Sequence, residues 1–111
     1  MADADDLVRL ALALPGVAQY PHFDRVAFKA RVTFATLAPD RLTANFKFAP
    51  DEQALKCEVA PDAFSPIPNN WGARGWTVAR LAALSKAELD SALRMAFAHA
   101  GPKPRRRARG G

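Results

Sequence analysis

Apolar residues recur along this chain with two different periods. Leu7, Leu10, Ala11 and Leu14 fall at i, i+3, i+4 and i+7, the spacing of one helical face. Asp3, Asp5 and Asp6 stand where a helix N-terminus favours negative charge, and Pro15-Gly16 ends the segment. These residues predict an amphipathic first helix. From Asp24 to Phe48 the period shortens to two. Val26, Phe28 and Ala30 alternate with Arg25, Ala27, Lys29 and Arg31; Thr33–Leu37 is β-branched and aromatic; Leu42, Ala44, Phe46 and Phe48 alternate with Arg41, Thr43, Asn45 and Lys47. Three short antiparallel strands account for this, with a turn at Pro39-Asp40.

Pro50-Asp51-Glu52 opens a short helix, on which Leu55 and Val59 share a face, and Pro61 ends it. The next stretch, 61–75, is rich in Pro, Asn and Gly and reads as a loop, with Phe64 and Trp71 as possible anchors. Trp76–Leu81 alternates like a fourth strand. Ser85 and Glu88 form a capping box. Leu89, Leu93, Ala96, Phe97 and Ala100 give the following helix an apolar face, stopped by Gly101-Pro102. The order α-β-β-β-α-β-α predicts an α+β fold: an antiparallel sheet of about four strands with helices packed on one face.

The 111 residues fit one domain, taken as 1–101, and half of them are apolar. A single cysteine, Cys57, excludes an internal disulfide framework and is compatible with a reducing cytoplasm. The acidic start lacks the basic region of a signal peptide, and Leu7–Leu14 is too short to span a membrane. A soluble cytoplasmic protein is expected. Charge is unevenly placed. The chain has 16 Lys+Arg against 11 Asp+Glu, and five of those cations, Lys103, Arg105, Arg106, Arg107 and Arg109, lie in the last nine residues. Without them the counts are equal, so the pI of about 10.0 belongs to a tail, 102–111, that is expected to be disordered.

Three stretches in order carry a resemblance: Leu14-Pro15-Gly16-Val17 leading into Tyr20-Pro21-His22-Phe23-Asp24-Arg25, then Phe34-Ala35-Thr36-Leu37, then Asn70-Trp71-Gly72 with Gly75-Trp76. With the aliphatic C-terminal helix, they resemble the MmcQ/YjbR-like family over roughly residues 4–100. That family is similar to an α+β domain described as a "double wing" of hairpins, for which DNA binding has been proposed. Members often carry a Gly-Lys turn where this chain has Arg31-Val32, and a His or Lys before the Trp where it has Pro66-Ile67-Pro68-Asn69-Asn70.

The residues offer little catalytic chemistry. His22, His99 and Cys57 fall in separate elements and form no metal-ligand motif. Cys57 has only Lys56 beside it as a source of activation, and Ser85 is explained as a cap. No enzyme, cofactor or metal is expected. Two surfaces suit nucleic acid or another polyanion. One is the polar side of the hairpins, with Lys29, Arg31, Arg41, Asn45 and Lys47; the plainer account is a solvated sheet face. The other is the tail, whose cations would bind phosphates without reading sequence, or act as a solubilising extension. A third candidate is a small-molecule or peptide site of His22, Trp71, Arg74 and Trp76. Its plainer account is a loop anchored to the core by its indoles. A protein-interaction module is the remaining alternative.

Overall fold

The computed structural model describes residues 1–101; the basic tail, with Lys103, Arg105, Arg106, Arg107 and Arg109, lies outside the described residues. The chain forms α1 (Ala4–Leu12), β1 (Ala18–His22), β2 (Arg25–Lys29), β3 (Thr33–Leu37), β4 (Thr43–Lys47), α2 (Pro50–Val59), β5 (Phe64–Pro66), α3 (Asn70–Ala73), β6 (Trp76–Arg80), a 3₁₀ turn (Leu81–Ala83) and α4 (Lys86–Phe97). The strands make one antiparallel sheet in the order β1-β2-β3-β4-β6-β5.

The α+β class is as expected, but the sheet has six strands, not four, and the element order changes accordingly. Both additional strands form borders of the sheet. β1 reads Ala-Gln-Tyr-Pro-His, without apolar alternation, because nearly all of it is exposed. β5 is three residues long and buries only Phe64. Border strands have one neighbour and need no two-faced hydrophobic pattern. Each carries a proline, Pro21 and Pro66, a residue with no N–H to offer a further strand.

Pairing register assigns the two faces. Val26, Phe28, Phe34, Ala35, Leu37, Ala44, Phe46, Ala79 and Phe64 join the core, with α1, α4 and Cys57 of α2 against them. A bulge between β2 and β3 sets Phe28 opposite Ala35 and Lys29 opposite Thr33. Phe34 is thus the extra residue; it is fully buried and meets Phe97 of α4 edge-on at 5.7 Å.

α1 is closed by a capping box in which Asp3 accepts from the Asp6 N–H and Asp6 accepts from the Asp3 N–H. α4 has the expected box of Ser85 and Glu88. α2 departs from the sequence reading. Leu55 and Val59 are 58% and 74% exposed, and the helix buries no residue fully. It is held by polar contacts: Glu52 accepts from the Ala49 N–H and meets His99 Nε2 at 2.8 Å. Gln53 Nε2 donates to the carbonyls of Gly72 and Trp76.

Candidate nucleic-acid interface

The sheet face opposite the core carries no packed helix among the described residues. Its middle row runs Tyr20, Ala27, Thr36, Asn45, Val78 and Ser65 across successive strands. Two residues to one side stand Lys29, Lys47 and Trp76; two residues to the other stand His22, Arg25, Thr43 and Arg80. At about 3.3 Å per residue, the flanking rows are roughly 13 Å apart at their backbone positions. Four cations therefore border a neutral floor. None of the chain's 11 carboxylates lies on any strand: all are in helices, in turns or, for Asp3, at a helix N-cap.

The floor is shaped by two side chains that lie along the sheet. Tyr20 of β1 hydrogen-bonds through its hydroxyl to Thr33 Oγ1 of β3, so its ring crosses β2. Lys29 Nζ sits 5.6 Å from that ring's centroid, a cation–π contact. Arg25 Nε donates to Thr36 Oγ1 at 2.9 Å. Between them Ala27 is fully buried and Thr36 nearly so, although neither belongs to the core. Arg25 Nη2 is buried without a hydrogen-bond partner among the described residues. Burial lowers the Arg25 pKa, and the nearby charges of Asp24 and Asp40 oppose the shift; a guanidinium stays protonated regardless.

The sequence reading grouped residues that the fold separates. Lys29, Asn45 and Lys47 do share the open face. Arg41 does not: it sits in the β3–β4 turn at φ +63 and pairs with Asp5 of α1 at 2.7 Å. The left-handed residue breaks the alternation that placed Arg41 with Asn45 and Lys47. Arg31 does not either. Its guanidinium donates to the carbonyls of His99 and Gly101 and its backbone N–H to Ala100, so it caps the C-terminal end of α4. Tyr20, Arg25 and Arg80 share the open face and were missed. The absence of acids from every strand-like segment was the available signal.

The proposed His22–Trp71–Arg74–Trp76 group is likewise divided. His22 lies on β1 and Trp76 on β6, four strand spacings away, or roughly 19 Å. His22 instead packs edge-on against Phe23 at 4.8 Å. Phe23 tips the β1–β2 hairpin at φ +58 and is 94% exposed. Arg74 stacks over Trp71 at 5.6 Å. Neither indole is buried in the core: Trp71 is 56% exposed and Trp76 partly so. The loop is anchored by other means. Asn69 Oδ1 accepts from the Trp71 N–H, Gln53 bridges to the loop, and Gly75 passes close to Phe48 at φ +107.

A cleft of about 490 Å³ opens at the far end of the sheet, between the N-terminus, the β3–β4 turn and the residues after β6. Leu42, Leu81, Ala2, Arg41 and Arg80 line it; His22, Trp71, Arg74 and Trp76 do not. Burial raises the pKa of Cys57, the opposite of what an activated thiolate requires. Among the described residues, no three His, Cys, Asp or Glu side chains converge as metal ligands, and no helix is long and apolar enough to cross a membrane.

Comparison with known proteins agrees with this fold. The crystal structure of Deinococcus radiodurans protein DR2400, which has a DUF419 domain, superposes with a TM-score of 0.76. The match covers 99% of this chain and 86% of that one at 20% identity, a likeness of fold. No curated protein matches the chain. The family model YjbR matches residues 12–99. With most of its length so matched, this protein belongs to the YjbR family.

Proposed function

We propose that this protein is a nucleic-acid-binding module whose contact surface is the open face of its sheet. The observation that carries the reading is the segregation of charge. Arg25, Lys29, Lys47 and Arg80 stand on strands that hold no carboxylate, on a chain that is neutral apart from its tail. Such a face attracts phosphate, and Asn45, Thr43 and Ser65 add donors and acceptors for sugar and base edges. The tail cations would add sequence-blind affinity.

The test removes the tail's contribution first. In the full chain, Lys103, Arg105, Arg106, Arg107 and Arg109 are all changed to Ser, and binding to labelled DNA and RNA is followed by fluorescence anisotropy across salt. Binding persists at low salt. Changing Lys29 and Lys47 to Gln together lowers the slope of log affinity against log salt by roughly one for each cation removed. Arg41→Gln leaves that slope unchanged, because Arg41 faces α1. Absence of binding by the tail-neutral chain at low salt would reject the reading.

A further inference from the structure

We infer that the open face takes single-stranded nucleic acid, with an unpaired base stacked on Trp76 and another on Tyr20; this rests on the nucleic-acid reading above. Shape argues first. Six strands at about 4.8 Å make a surface roughly 24 Å across. The major groove is about 12 Å wide and the minor about 6 Å. A sheet of that breadth cannot enter either groove face-on, and among the described residues no helix stands on this side to do so in its place.

The side chains argue second. Tyr20 lies along the sheet rather than upright, with its hydroxyl held by Thr33 and the Lys29 ammonium over its ring, a contact that a stacked base would exchange for its own. Trp76 stands near the opposite border, next to Lys47 in the pairing register. Trp76 thus has a cation beside it in its own row, and Tyr20 has one from the neighbouring row. Base faces are hidden within a duplex and free in a single strand, so aromatic rings on a cationic floor are useful to the second and idle against the first. Tyr20 and Arg25 cover Ala27 and Thr36, so the accessible floor between the two rings is Asn45 and Val78, low side chains that bear one amide and leave room for a base to lie across the strands.

Trp76 reports on the proposal directly. In the tail-neutral chain, Trp71→Phe removes the other indole, which sits on α3 rather than on a strand, and leaves Trp76 as the only tryptophan. Short oligothymidine, oligouridine of equal length and a hairpin duplex of equal charge are then titrated. The expected result is quenching of Trp76 by either single strand, with at least tenfold tighter binding than the duplex; the tighter of the two single strands identifies the sugar. Trp76→Leu, checked for folding by circular dichroism, is expected to lose about tenfold in single-strand affinity. Binding of the single strands without quenching, or duplex binding as tight as single-strand binding, would overturn the single-strand proposal and leave the nucleic-acid reading in place. No binding of any of the three would overturn both.

Discussion

Two single residues show how local physics fixes the frame of the open face. Gly75 leads into β6 at φ +107, and a Cβ there would overlap the Phe48 carbonyl oxygen. Both the conformation and the close approach require glycine. Gly75→Ala is expected to cost roughly 2–4 kcal/mol, lowering Tm in a thermal melt by about 10 °C or more. Asp6 is the second residue. It is buried, which raises its pKa, but hydrogen bonds from Arg9 and Asp3 and the charge of Lys86 outweigh that and lower it below the usual 3.8. A lowered folded pKa means that folding favours the carboxylate. Its contribution is complete above the usual carboxylate value and fades as pH falls through about 4 and below. The urea midpoint should therefore drop on acidification, and Asp6→Asn should flatten that drop. An unchanged acid slope in the variant would show that Asp6 is not the group responsible.

At the scale of elements, periodicity in the sequence located α1, α4 and strands β2, β3, β4 and β6 because each buries one face. It located α2 as a helix but misjudged what holds it. Leu55 and Val59 have the right spacing and face solvent, while Glu52 and Gln53 make the contacts. Substitutions separate these cases. Leu55→Gln is expected to change stability by no more than about 0.5 kcal/mol. Leu89→Ala, at a fully buried position of α4, is expected to cost roughly 2–5 kcal/mol in chemical denaturation. Equal effects would mean that α2 is covered. β1 and β5 were illegible for the complementary reason: a border strand with one exposed face after another leaves no alternation to read. The candidate interface was half legible. Lys29, Asn45 and Lys47 follow from strand alternation. The exclusion of Arg41 and Arg31 does not, since it depends on a left-handed turn residue and on a helix end about 70 positions away in sequence.

Taken whole, the described molecule has two unlike sides. One holds the helices and most of the carboxylates; the other is a bare sheet bearing cations, with Asp24 and Asp40 of the turns near Arg25. The tail adds positive charge to a body that is neutral in total but not evenly so. Bare sheets carry a hazard, since backbone groups at their borders can recruit another copy and grow without limit. Here each border strand carries a proline, Pro21 in β1 and Pro66 in β5. Replacing both by Val should produce larger species in analytical ultracentrifugation, and a variant that stays the size of the parent would show that other features guard the borders. Stacking of one bare face upon another meets a different obstacle, because the two surfaces repel. The same arrangement thus discourages a second copy from every side on which the sheet is uncovered, and leaves that surface vacant for a partner of opposite charge.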